Sequence, residues 1–358
     1  MRSKWLMLSI PLIFMLLSCN RIAKTPQQKR IQNAMRFSEI YQQEKTIALQ
    51  FTRNARVEKI NDAVLLPSRQ LCVLTSGAQP SAYLFNVDGA LIRQLQPGSR
   101  MRLQFGLPWQ VEYDATGNIH ILDLKKHMIY VFDSTGTFLR SLAAPNDAAS
   151  FRISPSGAYY FSLPIATDKT TVISTTNDGT ALRSFAMMPP LIRDILRIKP
   201  IVTPRPLMTF DGDGAFYNAF PVENKIYKFN RENRYLGVFS AAIQNYHAPL
   251  SIEHWKNATR QPNGLSQLLS TTTLFVSLHN AAPGVILAEF NNLSDRIPRY
   301  LVFHSTKGPL LNGGIPFDKD RYGEIIRAEK ERLFTSLSTK QANGFMQHHI
   351  LVFILPRK

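Results

Sequence analysis

Cysteine is almost missing from this chain: two in 358 residues, too few for a disulfide scaffold. Acidic residues are scarce, with 25 Asp and Glu against 42 Lys and Arg and a net charge of +17. Such a balance says nothing about fold but favours polyanionic partners or anionic lipid surfaces. No apolar run reaches membrane-spanning length beyond the first twenty residues. The sequence also lacks G-x-S-x-G, H-E-x-x-H, a P-loop and Cys-x-x-Cys. The motif-borne forms of serine hydrolysis, zinc proteolysis, nucleotide hydrolysis and thiol redox chemistry are therefore not indicated. Asp211-Gly212-Asp213-Gly214 opens like a calcium loop but lacks the closing glutamate of an EF-hand, and reads as a hairpin turn. What the chain does have is 44% hydrophobic and only 19% charged residues, enough for a sizeable core and far from disordered composition. Its length suits one large all-β domain.

The start is specific. Arg2 and Lys4 precede an uncharged apolar stretch, Trp5 to Leu17, and the chain turns polar directly afterwards. This is the layout of a secretory signal. Leu16-Leu17-Ser18-Cys19 resembles the bacterial lipobox, whose cysteine thiol forms the thioether to diacylglycerol and becomes the new N-terminus. The resemblance implies a signal peptide over 1–18, acylation (palmitate included) at Cys19, and a firm anchor, since several acyl chains at ~0.8 kcal/mol per buried methylene hold far better than one. Removing Arg2 and Lys4 from a net charge of +17 leaves +15. Asn20-Arg21-Ile22-Ala23-Lys24 is basic, which favours the periplasmic side of the outer membrane. Residues 19–45 read as a tether with a short helix begun by Thr25-Pro26. Cys72, inside Leu71-Cys72-Val73-Leu74, reads as a buried inert thiol.

From residue 46 to 358 the chain is built on a repeat. Leu107 to Leu142 holds four short runs of β-formers split by turn pairs, and Phe210 to Phe239 repeats it. When Gly117 is superposed on Gly214, Phe132 and Phe229 both follow at +15, and Leu142 and Phe239 at +25. Weaker copies run over 60–96 and 147–187. Four-stranded repeats of this length mean a β-propeller, because one such sheet must bury both faces against neighbours. The count predicts six blades, with 274–303 and 324–355 supplying the last two and Thr46 to Phe51 acting as a spare strand that closes the last blade. The Asp114-Ala115-Thr116-Gly117-Asn118-Ile119 run and Phe132-Asp133 before Gly136 resemble the NHL repeat, although Met128 stands where its third strand usually carries arginine. With the lipobox, the chain resembles the six-bladed propeller lipoproteins of Bacteroidetes. That resemblance implies fold and envelope location, not an activity.

In a meandering blade, the first and third turns lie on one face of the disc, and the second turns and the blade-to-blade crossovers on the other. Here the first face has tight pairs such as Thr116-Gly117 and Thr135-Gly136, and the second has the long crossovers 95–109, 185–207, 239–272 and 311–325. Long loops on a rigid scaffold are where binding concentrates. About +7 of the charge excess falls on that face, which suits an anionic ligand. Helical stripes at 191–198, 251–258 and 265–269 predict helices packed on blade edges or a lid over the channel. Arg100 and Arg102 precede blade two, Arg205 precedes blade four and Trp109 starts an inner strand; arginine forks suit carboxylate or phosphate, and an indole gives a flat stacking surface.

These four residues form the expected ligand site of a non-enzymatic, monomeric envelope protein that binds an anionic glycan, peptide or protein partner. No cofactor, metal ligand or catalytic residue is expected. His120 and His279 are read on the second strands of blades two and five, and His348-His349 on one strand, all as satisfied structural histidines. Two alternatives remain. A calcium-dependent hydrolase or lactonase-like propeller would use acids near inner strands, Glu112, Asp114, Asp211 and Glu324. A nucleic-acid-binding NHL propeller would fit the charge but conflict with export.

Overall fold

Turn chemistry sets the blades. At Asp114 and Asp133 the carboxylate accepts the backbone N–H groups two and four residues on, closing each hairpin before the chain returns. Gly136 sits at φ +83°, and a Cβ there would meet Leu95 Cδ2 at 2.5 Å and Arg93 Cδ at 2.9 Å of the preceding blade. Glycine is thus needed both for backbone conformation and for close approach.

The computed structural model describes residues 37–355, apart from 53, 54, 56, 99–103, 164–169, 200, 202, 204, 241–245, 293–298, 306–313 and 342–345. The signal peptide, Cys19, the Thr25-Pro26 helix start, Arg100 and Arg102 lie outside the described residues.

Six four-stranded antiparallel sheets result, an all-β six-bladed propeller. Blade one is β2 (Lys59–Leu65), β3 (Gln70–Ser76), β4 (Ser81–Asn86) and β5 (Leu91–Gln94). Blade two is β6 (Pro108–Tyr113), β7 (Ile119–Asp123), β8 (Met128–Phe132) and β9 (Phe138–Ala143). Blade three is β10 (Ser150–Ile153), β11 (Tyr159–Ser162), β12 (Thr170–Thr175) and β13 (Ala181–Met187). Blade four is β14 (Met208–Phe210), β15 (Phe216–Ala219), β16 (Lys225–Phe229) and β17 (Tyr235–Ser240). Blade five is β18 (Leu274–Ala282), β19 (Val285–Asn291), β20 (Arg299–Ser305) and the short β21 (Gly314–Pro316). The sixth sheet has β22 (Glu324–Glu329), β23 (Arg332–Lys340) and β24 (Met346–Ile354), with β1 (Gln42–Ala48) at its outer edge.

Three differences from the sequence reading stand out. β1 spans Gln42–Ala48 rather than 46–51, pairing Thr46 with Leu351 and Ile47 with Ile350. Its first five residues are exposed and polar, so no hydrophobic alternation marks them. The end of the assigned tether is also part of the body. Phe37, in the short helix α1 (Phe37–Ile40), is 3% exposed, and Tyr41 is 2% exposed. Phe37 packs on Phe317, Tyr322 and Phe353. Finally, β21 carries no run of β-formers and was not foreseen.

Between blades, apolar faces interdigitate, with Leu71, Val73, Phe85 and Ile60 of blade one against Ile326, Phe334, Ile350 and Val352 of blade six. Outer strands also latch: Arg140 of blade two donates to the Asn177 carbonyl of blade three at 2.9 Å, and Arg183 of blade three to the Glu232 carbonyl of blade four at 3.0 Å. Leu139-Arg140 and Leu182-Arg183 hold matching places in β9 and β13, so each arginine acts as an inter-blade staple. On the long-connection face, α2 (Pro190–Ile198), α3 (Ile252–Ala258) and α4 (Gly264–Ser270) form one cluster through Ile195, Leu196, Trp255 and Leu268 against Phe220 and Val222. They cover blade four rather than the channel.

Candidate functional site: the central channel

Inner strands of a propeller present unpaired backbone groups to the axis, and buried backbone groups demand partners. Here polar side chains of the inner strands supply them. Asn61 donates to the Pro108 carbonyl at 2.9 Å, and Asp62 accepts the Val111 N–H at 3.0 Å. The Gln110 amide accepts the Phe151 N–H at 3.0 Å and returns a bond to the Phe151 carbonyl. Arg152 donates to Met208 O at 3.0 Å and Leu278 O at 3.3 Å. Arg205, between β13 and β14, donates to Ile325 O at 3.2 Å and to Asn61 O. Arg327 donates to Val111 O. All six blades are thereby stitched across the axis.

The same groups form one buried ion network. Glu112 is bound by Arg152, and by Arg327 at 3.1 Å. Arg327 lies 3.6 Å from Asp62 and 3.8 Å from Glu329, and Arg205 lies 4.0 Å from Asp62. Burial alone would raise the Glu112 carboxyl, but Arg152 and Arg327 outweigh it and hold the group at about 2. Burial instead pushes Asp62 and Glu329 above the ordinary carboxylate range despite their arginines.

Beside the network stands His279, 1% exposed, with no hydrogen-bond partner on either ring nitrogen. It lies on β18, the innermost strand of blade five, not on a second strand. His120 does lie on the second strand of blade two, held by Asp114 at 3.1 Å and the Tyr159 hydroxyl at 2.8 Å. His348 is held by Ser338 and the Val57 carbonyl. Burial, then the charges of Arg152, Arg327 and Arg205, drive the His279 pKa well below its ordinary value. The unfolded chain therefore binds the extra proton. Stability is intact above about pH 6.5 and drains as pH falls toward the depressed folded value, by up to about 1.4 kcal/mol per pH unit. Urea melts between pH 7 and 5 should show this slope, and His279→Leu should reduce it to what His120 and His348, also lowered by burial, contribute.

At the long-connection end, the channel opens through Lys59, Asn61, Trp109, Arg205, Glu289 and Glu324. Two of the four residues expected from sequence to bind ligand, Trp109 and Arg205, share this opening. Trp109 is partly exposed, whereas Arg205 is 8% exposed and turned inward onto carbonyls and Asp62. Arg205 braces the opening rather than standing on a solvated rim. The four acids of the hydrolase alternative are not brought together. Glu112 is inside the ion network, Asp114 and Asp211 close the first turns of blades two and four, and Glu324 sits at the opposite end from those turns. A calcium ion in the channel would meet Arg152, Arg205 and Arg327, and that donor set does not fit it. Among the described residues, no group of three or more His, Cys, Asp or Glu is placed to hold a metal. Cys72 is fully buried, and burial pushes its thiol up, out of reactive range.

No family model matches the chain, and no curated protein matches it. Solved structures do. A Bacteroides fragilis protein designated as exported aligns with a TM-score of 0.65 at 13% identity, covering 90% of this chain and 97% of its own. A member of the DUF4221 family from Bacteroides vulgatus aligns at 0.60 and 8% identity, covering 89% and 98%. Virginiamycin B lyase from Staphylococcus aureus, captured catalytically inactive with quinupristin, aligns at 0.52 and 11% identity, covering 86% and 84%. At these identities the likeness is one of fold: a β-propeller, shared with Bacteroides proteins and with a lyase.

Proposed function

We propose that this protein is an exported, lipid-anchored envelope propeller that binds rather than catalyses, and that takes an anionic glycan, peptide or envelope protein partner at the long-connection end of its channel. The observation that carries the reading is the charge network below the opening. Glu112 and Asp62, the buried acids a channel enzyme would use, are bound by guanidinium groups and backbone, so the inner wall serves as scaffold. Lys59 and Trp109 are left to meet a ligand, an ammonium for a carboxylate or phosphate and an indole for an apolar face. Arg100 and Arg102 precede Trp109 in the same crossover segment and add two positive charges to it.

The lipid anchor rests on Leu16-Leu17-Ser18-Cys19, and export also accords with the designation of the Bacteroides fragilis relative in fold. No helix among the described residues is long and apolar enough to cross a membrane; the attachment proposed is the lipid on Cys19. In this reading β1 closes the ring. Metabolic acyl labelling should mark the wild type and not Cys19→Ala, which should leave the membrane fraction. Affinity capture on immobilised envelope polyanions should be lost at least tenfold in Lys59→Glu/Trp109→Ala. Capture unchanged by that pair would place the partner elsewhere.

A further inference from the structure

A second cleft lies further out along the same crossover. It holds about 240 Å³ between blades one and two. Gln79 reaches it from the turn joining β3 to β4, Gln94 from the end of β5, and Gln96 and Gln104 from the two ends of the crossover. All four are exposed. The Gln94 amide donates to Ser81 Oγ at 3.0 Å, and Ser81 Oγ donates to the Gln79 carbonyl at 3.3 Å, so one side of the cleft is oriented. Its walls are stiff. Pro80 and Pro97 have fixed φ, and the buried Phe105 is locked edge-on against Tyr130 at 5.6 Å. Not one of the described residues lining it is charged.

We propose that this cleft is a carbohydrate-binding site that grips the hydroxyl groups of a sugar through amides. A primary amide both donates and accepts, and so do sugar hydroxyls; four amides from three chain segments match a ring of hydroxyls that points in several directions. The partly exposed Pro80 ring supplies apolar surface for the C–H face of the sugar. A peptide would instead be taken along a strand edge by main-chain bonds, and this cleft is walled by side chains. The proposal rests on the reading of the long-connection face as the binding face, and names the chemistry recognised there.

The test is saturation-transfer NMR and titration calorimetry on the soluble protein beginning after Cys19. The probes are short neutral oligosaccharides (malto-, xylo-, manno- and chito-series), oligogalacturonates and a pool of unmodified peptides. The expected result is binding of at least one saccharide series, weakened at least tenfold in Gln79→Ala/Gln94→Ala/Gln104→Ala. These exposed substitutions should leave the melting curve in place, so loss of binding would not reflect unfolding. Binding of no saccharide, saccharide binding untouched by the triple variant, or binding of peptides alone would overturn the proposal. Lys59→Glu/Trp109→Ala separates the two readings. It should remove polyanion capture and keep saccharide contacts in the cleft, so either site can fail without the other.

Discussion

Glu112→Ala should lower the melting temperature by about 10 °C, the largest effect of any single substitution in the channel. The change leaves Arg152 and Arg327 facing each other without the carboxylate that binds both. Removing one partner from a buried ion group typically costs about 3–5 kcal/mol, because the remaining charge is stranded. At roughly 2–4 °C per kcal/mol for domains of 150–250 residues, a shift near 10 °C follows. Replacing the group together, as Glu112→Leu/Arg152→Leu/Arg327→Met, should recover much of the loss, since well-packed apolar residues often match a buried ion group. The carboxyl also sets an acid limit. Its folded value, about 2, lies below the unfolded one near 4.3, so its contribution is complete above about pH 5 and drains as pH falls toward 2. Scanning calorimetry of the single and triple variants checks both points. A Glu112→Ala protein that melts with the wild type would show that the network is not what holds the inner strands.

Deleting residues 20–48 should be at least as severe, whereas deleting 20–35 should do little. The longer deletion strips β24 of its neighbour and removes Phe37 and Tyr41 from the cluster around Phe317 and Phe353. It also removes Ile47, packed between blades six and one. The segment holds blade one too. Lys45 pairs with Asp88 at 2.8 Å, and just beyond the deletion the Gln50 backbone N–H donates to the Gly89 carbonyl at 2.9 Å. Gly89 sits at φ +87°, and a Cβ there would come within 2.1 Å of the Ala48 carbonyl. Gly89→Ala should therefore mimic part of the deletion without shortening the chain. Loss of one buried Phe side chain costs about 3–5 kcal/mol by itself, so the deletion should reduce the melting temperature by more than 10 °C and broaden the transition. Equal melting of the two truncations would contradict β1 as the closing strand.

The blades were legible because their turns are chemical. Asp114, Asp133 and Asp211 with Gly117, Gly136 and Gly214 fix hairpins locally, and the +15 and +25 echoes then follow from equal strand lengths. β1 was shifted in the reading because an outer edge strand needs no apolar alternation; Gln42 to Lys45 gave no period to detect. β21 was invisible because Gly314-Ile315-Pro316 makes a strand only by pairing with β20. The site was half legible. Trp109 could be placed by its position at a strand start, but Arg205 looked like a rim residue because sequence does not show that the crossover dips into the channel. The ion network had a signal that went unread: a lone charge inside an apolar inner strand, as in Asp62 within β2, Arg152 within β10 and Arg327 within β22. Single buried charges of this kind require partners from other blades, and only the closed ring brings those partners together.

The central claim is that ligand meets the long-connection face over a channel filled by its own salt bridges. Hydroxyl-radical footprinting with and without bound envelope polyanion reads the two faces at once. Trp109, partly exposed at the opening, and Met187, 70% exposed where blade three enters its crossover, report on one face. Tyr235, 57% exposed beside the third turn of blade four, reports on the other. Protection of Trp109 with Tyr235 unchanged is the predicted result. Protection of Tyr235 with Trp109 oxidised as in the free protein would contradict the account.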